Sequence, residues 1–202
     1  MKKKIISLTV IIVIILAIFI AYYLKNEQEN KEPEKIKVVD NIEKYGYSLY
    51  ENKTSLYKNK FNELKEVLNA EEINEKKYAE ILSELFVIDF YDLKSKVTNT
   101  DVGGLDFILE DIKEEFTSAA EDSLYRYIES NVYGERTQEL PSVSSTKILS
   151  STNFNFESEK ISDENAYVIE VEITYEKSLD YPTKVKITLV HNDNKLYIVE
   201  VK

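Results

Sequence analysis

Asp89 has the placement that most strongly suggests chemistry. In a view down the axis of a predicted helix, Asp89 projects between Leu85 and Leu93, inside the apolar arc that should face the core. An isolated charge buried there is very costly. It is then either a pocket acid or base with a raised pKa, or a structural carboxylate bonded to a tyrosine hydroxyl or to backbone amides. We favour the structural interpretation, because structural networks also perturb carboxylates. The other carboxylates of this helix are expected outside the arc or at its border: Glu80, Glu84 and Asp92.

Few other residues suggest catalysis. His191 is the only histidine among the 202 residues and precedes a predicted turn. A catalytic histidine needs an oriented partner, and because the sequence reveals none, we interpret His191 as a solvated turn residue. The absence of cysteine excludes thiol catalysis, disulfides and thiolate metal sites. Gly103 and Gly104 match neither the dinucleotide fingerprint nor the Walker pattern, so they indicate a turn.

Three glutamates share one face of a predicted strand: Glu170, Glu172 and Glu176. Carboxylates can bind metal ions, but the next predicted strand carries Lys184 and Lys186. Cross-strand charge pairs on a solvated face explain the glutamates without a metal. We therefore expect no metal and no cofactor, and the sequence identifies no catalytic, cofactor-binding or metal-binding residue.

Residues 5–24 form an uncharged apolar stretch, which as a helix would span about 30 Å, the thickness of a bilayer core. Lysines at positions 2–4 precede it, which predicts a cytoplasmic N-terminus. A buried core helix rarely stays apolar around its whole circumference, and a cleavable secretory signal has a shorter apolar region that ends at a small-x-small site. We therefore predict a single-pass signal anchor in the cell membrane, with residues 25–202 outside the cytoplasm.

The exported part is acidic. Residues 25–202 carry 23 Lys and Arg against 37 Asp and Glu, a net charge of −14. This charge favours solubility and argues against duplex nucleic acid as a partner. Residues 25–39 are polar, include Pro33 and are predicted to be a linker, which leaves residues 40–202 as the extracytoplasmic domain. The richness in Lys, Asn, Ile, Glu and Tyr suggests an AT-rich bacterial genome.

Apolar residues at spacings of three and four predict three helices, at about Tyr47 to Ala70, Asn74 to Val97 and Asp106 to Ser130. Asp106 is placed to cap the third helix. The first helix has a narrow seam, formed by Tyr50, Tyr57, Phe61, Leu64 and Leu68. This seam is either a coiled-coil contact between chains or, as we favour for so few heptads, a helix lying on the domain core.

After Pro141 the apolar period changes from 3.6 to 2. A first strand is expected around Ile148 to Phe156, with Ile148, Phe154 and Phe156 on one face together with Ser150 and Thr152. A second, clearly alternating strand is expected at Tyr167 to Tyr175. A third begins at Pro182, and a last one runs from Lys195 to Val201. Short turns predict an antiparallel meander, and helices followed by strands predict an α+β fold with about three helices on a curved sheet of about four strands.

This order of elements is similar to that of the nuclear transport factor two-like, or cystatin-like, cone fold. With one membrane segment in front, it resembles the assembly-scaffold proteins of type IV secretion and conjugative transfer. The resemblance covers about residues 70–202 and rests on element order, so no functional residue is carried over. It implies a half-barrel backed by helices, whose concave face is a small-molecule pocket or a protein docking surface.

Two functions from different classes are consistent with the sequence. The first is a non-catalytic binding or scaffold domain of the bacterial envelope with a protein partner. The alternative is a cone-fold small-molecule-binding domain or an enzyme of the isomerase or dehydratase type, with Asp89 as acid or base in an enclosed pocket. A homo-oligomer through the first helix is a third interpretation. Tyrosines near the first and third helices suit either a docking surface or the edge of a small core: Tyr45, Tyr47, Tyr50, Tyr57, Tyr125, Tyr127 and Tyr133.

Overall fold

The structure, a computed structural model, describes residues 16–20, 22, 36–159 and 161–202. The chain divides into two units, Met1–Lys37 and Val38–Lys202. In the first unit residues 16–20 and 22 are helical, and the remainder of the predicted anchor and linker up to residue 35 lies outside the described residues. No helix in the part of the chain that the structure describes combines the length and the apolar character needed to cross a membrane.

The second unit, described except for residue 160, is an α+β domain, and this class is confirmed. It contains a two-stranded hairpin, three α-helices and a four-stranded antiparallel sheet in the order β3-β4-β5-β6, the predicted meander. The elements in chain order are β1 Val38–Ile42, β2 Tyr47–Tyr50, α1 Ser55–Leu68, α2 Glu75–Tyr91, α3 Glu110–Asp122, β3 Val143–Glu157, β4 Ser162–Tyr175, β5 Lys184–Asn192 and β6 Lys195–Val201.

The β1–β2 hairpin corrects the predicted start of the first helix. Tyr47–Tyr50 pair with β1 instead of forming a helical turn, and β1 itself begins inside the predicted linker. Gly46 has φ of +66°, which ends the preceding 3-10 turn in the left-handed conformation that glycine adopts without strain. Tyr47 and Leu49 are buried while Ser48 between them is not, an alternation typical of a strand.

Helix α1 lies on the core of its own domain. It begins after Thr54, whose side chain accepts a hydrogen bond from the N–H of Tyr57 at 3.2 Å. Its seam packs within the domain, where α1 contacts α2. Each seam residue of α1 is at most 3% exposed: Tyr57, Phe61, Leu64 and Leu68. The core interpretation is therefore confirmed, and the seam is not available to a coiled-coil partner.

Helix α2 is the central element of the domain. It contacts α1 as well as β3 and β4, and from Tyr78 onward nearly all of its residues are buried. Glu84, which the sequence analysis places outside the apolar arc or at its border, is buried as well. Its carboxylate is satisfied by Lys60 Nζ at 3.0 Å and by the hydroxyl of Thr146, which donates at 2.8 Å. A helix that is covered all round requires such partners for its polar side chains.

Helix α2 ends at Tyr91, earlier than the predicted Val97, because tertiary contacts use the backbone that follows. Arg136 donates from its guanidinium to the carbonyl oxygens of Lys94 and Lys96, both at 2.8 Å. Lys94 lies in a 3-10 turn and Lys96 directly follows that turn, where the predicted α-helix would have continued. The apolar periodicity of the sequence contains no sign of this distant arginine.

Helix α3 is shorter than predicted at both ends. The predicted first turn is instead a 3-10 turn, and Leu109 then donates its N–H to the carbonyl of Ile198 on β6 at 3.1 Å. The helix therefore begins only at Glu110, and the expected cap by Asp106 is wrong, since the N-cap is Leu109 without a side-chain cap bond. Turns replace the predicted helix beyond Ser123.

The sheet presents one face to the helices. On β4 the core-facing residues are Tyr167, Ile169, Val171 and Ile173. Strand β3 contains irregularities in its pairing with β4, one between Ile148 and Ser150 and another between Phe154 and Phe156. Ile148 lies opposite the core residue Val171, whereas Phe154 lies opposite Ala166 on the other face. The predicted common face for Ile148 and Phe154 is therefore wrong, because a bulge shifts the side-chain alternation.

Candidate functional site

Asp89 lies in a buried cluster of charges near the carboxyl end of α2. Each of its carboxylate oxygens accepts a hydrogen bond from Lys53 Nζ at 2.7 Å, and Oδ1 also accepts one from Lys96 Nζ at 3.0 Å. The backbone N–H of Gly104 donates to Oδ2 at 2.8 Å. The expected backbone amide partner is therefore present, and the two lysines are partners that the sequence analysis did not identify. The cluster joins the β2–α1 connection, α2 and the loop before α3.

The lysines hold Asp89 in its charged form. Burial acts to raise the pKa of the carboxyl group, but the charges of Lys96 and Lys53 and the hydrogen bonds from Lys53 and Gly104 outweigh it. The pKa is lowered to about 2. This shift is opposite in direction to the raised pKa that the acid-or-base interpretation of Asp89 requires. Near neutral pH a group with this pKa is a weak base and holds no proton to donate.

Gly103 and Gly104 allow the loop to approach α2 closely. A Cβ atom at Gly103 would lie 2.2 Å from the backbone oxygen of Asp89. Gly104 has φ of +75°, and a Cβ there would lie 2.6 Å from a ring carbon of Phe86. The N–H of Gly103 donates to Tyr125 Oη at 3.1 Å, and this hydroxyl in turn donates to a backbone carbonyl of α2. The two glycines therefore serve loop packing.

The space beside Asp89 is small. A cavity of about 40 Å³ lies between Asp89, Asp92 and Tyr57. This volume holds about one water molecule, whereas small-molecule sites occupy several hundred Å³. Asp92, expected at or beyond the border of the apolar arc, is buried, and its Oδ1 atom has no hydrogen-bond partner among the described residues. Burial raises the pKa of Asp92.

A second site, which the sequence analysis did not identify, is a cleft of about 650 Å³. It opens where the β1–β2 turn, the amino-terminal end of α2 and the β5–β6 turn meet. Its volume lies in the range of small-molecule sites. The charged and aromatic lining residues are Lys44, Tyr45, Glu75, Lys76, Tyr78, Tyr167, His191, Asp193 and Lys195.

His191 is oriented in this cleft by Asp163. Its Nδ1 atom lies 2.9 Å from Asp163 Oδ2, which also accepts the backbone N–H of His191 at 2.7 Å. Burial acts to raise the pKa of Asp163, but bonds from the N–H groups of His191 and Asn165 and from the ring lower it overall. The Nε2 atom lies 3.8 Å from Glu75 Oε1. The predicted solvated histidine without a partner is therefore wrong, and its ring can exchange a hydrogen bond with a ligand at Nε2.

Three lysines line the cleft without close carboxylate partners. In the described part of the chain, no carboxylate oxygen lies within 4.0 Å of the Nζ atoms of Lys44, Lys76 or Lys195. Lys195 Nζ lies instead over two aromatic rings, 4.4 Å from the centroid of Tyr47 and 5.0 Å from that of Tyr197. In an acidic domain, such lysines favour a ligand that carries negative charge.

The pairing of Asp163 with His191 had a signal in the sequence. In the β4–β5 register, Glu170 lies opposite Lys186 and Glu172 lies opposite Lys184. Extending that register towards the β5–β6 turn brings Asp163 diagonal to His191 on the same face.

Glu176 forms an ion pair with Lys94, whose Nζ atom lies 3.0 Å away. Glu170 and Glu172 only face lysines in the register, and no Lys or Arg nitrogen of the described residues lies within 4.0 Å of their carboxylate oxygens. Among the described residues, no group of three or more His, Asp or Glu side chains is arranged to hold a metal ion. The tyrosines divide between the two expected roles. Tyr45, Tyr47, Tyr57 and Tyr125 are buried, whereas Tyr127 and Tyr133 are 76% and 64% exposed.

Known proteins give no support to the cone-fold resemblance. No protein-family model, curated protein or solved structure matches this chain. The resemblance therefore stays a prediction.

Proposed function

We propose that the chain is a membrane-anchored, extracytoplasmic binding domain of the bacterial envelope that recognises its partner without catalysis. Residues 5–24 would hold it in the membrane, and the acidic residues 25–202 would lie beyond it. The observation that carries the binding role is the cleft, which combines a volume of about 650 Å³ with lysine, tyrosine and histidine side chains. The partner is expected to present a negatively charged group to the lysines.

The enzyme alternative has less support. A catalytic Asp89 requires an enclosed pocket and a proton that it can exchange near neutral pH. Instead, Asp89 is occupied by Lys53, Lys96 and the N–H of Gly104, and the space beside it holds about 40 Å³. These contacts favour a structural role for the carboxylate.

The cleft can be tested by photo-crosslinking of the full chain in cells. Asn194 lines the cleft and is exposed, so a photoreactive amino acid at this position should capture the bound partner. Glu114 on α3 is exposed and is not among the cleft residues, which makes it the control position. The product formed at Asn194 should disappear when Lys44 and Lys76 are changed to glutamate, since these changes reverse the charge of the cleft lining.

Equal products at Asn194 and Glu114, or a product that is insensitive to the lysine changes, would refute binding in the cleft. The location is tested with the same cells by a peptide tag after Lys202. The tag should be digested by protease added to cells whose outer layers have been made permeable while the cytoplasmic membrane stays intact. Protection of the tag under these conditions would refute the extracytoplasmic assignment.

A further inference from the structure

His191 presents a hydrogen-bond acceptor to the cleft. Asp163 Oδ2 lies 2.9 Å from Nδ1 of the ring and accepts the backbone N–H of His191, while Asp163 Oδ1 accepts the N–H of Asn165 at 2.9 Å. A carboxylate accepts hydrogen bonds and donates none, so the ring proton must be on Nδ1. In the neutral imidazole, Nε2 then carries a lone pair and no proton. A ligand that bonds to Nε2 of the neutral ring must therefore offer a proton donor.

Two carboxylates add further acceptors to the same cleft. Glu75 and Asp193 line it, and in the part of the chain that the structure describes no Lys or Arg nitrogen lies within 4.0 Å of their oxygens. Glu75 Oε1 lies 3.8 Å from His191 Nε2, so these two acceptors are neighbours. One ligand with several hydrogen-bond donors could bond to both.

The cleft lysines and the cleft carboxylates do not neutralise each other. Lys44, Lys76 and Lys195 line the cleft together with Glu75 and Asp193, yet no ion pair joins the two groups among the described residues. A ligand that is only an anion would be repelled by the carboxylates, and an uncharged ligand would leave the lysines without a counter-ion. The cleft therefore favours a ligand that combines negative charge with hydrogen-bond donors.

The apolar residues of the cleft offer little surface to a ligand. Tyr45, Tyr78 and Tyr167 are each at most 5% exposed. The aliphatic lining residues are Ile73 and Leu196, and Leu196 is only 1% exposed. A nucleobase or an apolar peptide side chain gains its affinity from contact with such surface. The polar lining and the volume of about 650 Å³ instead suit a sugar together with a charged substituent.

We propose that the ligand of the cleft is an anionic carbohydrate, a sugar or sugar polymer that bears a phosphate or carboxylate group. The lysines bind the anionic group, and hydroxyl groups of the sugar donate to His191 Nε2 and to the carboxylates of Glu75 and Asp193. Hydroxyl groups supply the donors that these acceptors need. This inference rests on the proposed binding function and names the class of its ligand.

The single histidine of the chain is a specific reporter for the test. Nitrogen magnetic resonance of the full-length protein in a mild detergent, with isotope-labelled histidine, should show the proton on Nδ1 and none on Nε2 at about pH 8, where imidazole is ordinarily neutral. Addition of glucose 6-phosphate or glucuronate should shift the Nε2 signal, and the tighter of the two identifies the preferred anionic group. A neutral ring with its proton on Nε2 would overturn the proposal.

Two simpler compounds test whether both parts of the ligand are needed. Sulfate is a dianion like glucose 6-phosphate at this pH but has no hydroxyl group, and glucose has hydroxyl groups without charge. Each should bind at least about tenfold more weakly than glucose 6-phosphate, because a lost hydrogen bond to a charged group has about this effect. Equal affinities for sulfate and glucose 6-phosphate would show that the cleft responds to charge alone, which contradicts the proposal.

Glu75→Gln should have opposite effects on the two dianions. The affinity for glucose 6-phosphate should fall several-fold, since an amide oxygen is a weaker acceptor than a carboxylate. The affinity for sulfate should rise, since a repelling charge is removed. Glu114→Gln removes the same charge from an exposed position on α3 that does not line the cleft, and it should change neither affinity. Unchanged or stronger binding of glucose 6-phosphate by Glu75→Gln would refute the role of Glu75 as an acceptor.

This inference and the proposed function fail in different ways. Absence of any shift of the His191 signals with both glucose 6-phosphate and glucuronate would overturn the carbohydrate ligand. If photo-crosslinking at Asn194 then captures a protein in a lysine-dependent manner, the cleft binds an acidic protein and the proposed function stands. If the sugars bind as expected but crosslinking at Asn194 equals that at Glu114, the ligand class is supported and the proposed function in cells is wrong.

Discussion

Replacement of Asp89 by asparagine should destabilise the domain strongly, because it removes the negative charge that two lysines share. Asparagine preserves the shape of the side chain but leaves Lys53 and Lys96 without their counter-ion. The Lys96 side chain is only 5% exposed, so water cannot compensate it. Removal of one partner from a buried ion pair typically costs about 3–5 kcal/mol. The lowered pKa of Asp89, about 2 against a usual 3.8, independently corresponds to about 2 kcal/mol at neutral pH.

The assay is thermal unfolding of the full-length protein in a mild detergent, followed by the near-ultraviolet circular dichroism of its tyrosines. A loss of about 3 kcal/mol lowers the melting temperature of a domain of this size by about 6–12 °C. Asp40→Asn is the matched control, because Asp40 pairs with Lys65 at 2.6 Å while both side chains are about one third exposed. Such a surface pair contributes less than about 1 kcal/mol.

The effect of Asp89→Asn should depend on pH in one direction. A carboxyl group with a lowered folded-state pKa stabilises the folded state above its unfolded pKa, and this contribution is lost as the pH falls through the folded value. The difference between wild type and Asp89→Asn should therefore be largest near neutral pH and shrink between about pH 4 and pH 2. A melting temperature lowered no more than by Asp40→Asn would refute the structural role. Unchanged stability together with lost crosslinking at the cleft would assign Asp89 to function instead.

Two further predictions concern packing and ionisation. Gly104→Ala should lower the melting temperature more than Gly134→Ala: both glycines have positive φ, but only at Gly104 would a Cβ atom meet a neighbour, the Phe86 ring. Equal effects would show that backbone strain alone is responsible. Burial raises the pKa of Tyr78 and of Tyr91 to about 12, so stability should fall as the pH rises from about 10 towards 12. Ultraviolet absorbance of tyrosinate checks this, and a titration in which every tyrosine of the folded protein ionises with a midpoint near pH 10 would contradict it.

The sequence predicts the elements whose pattern is set by a single neighbouring layer. The alternation in Tyr167 to Tyr175 and in Lys195 to Val201 reflects one buried face of a sheet, and both strands occur. The sequence does not predict where the helices begin and end, because these boundaries depend on contacts with residues that are distant in the chain. Arg136 occupies the carbonyl groups after α2, and Ile198 accepts the N–H of Leu109 before α3. Contacts of this kind leave no periodic pattern in the chain.

The candidate sites follow the same rule. Asp89 was recognisable because a helix fixes which side chains share its face, and its burial is confirmed. Its lysine partners come from the β2–α1 connection and from the segment after α2, where no periodicity constrains side-chain direction. The sequence does not reveal the cleft for a related reason, since two turns and the beginning of a helix form it. Turns are the parts of a fold that sequence patterns specify least, and they carry much of its chemistry.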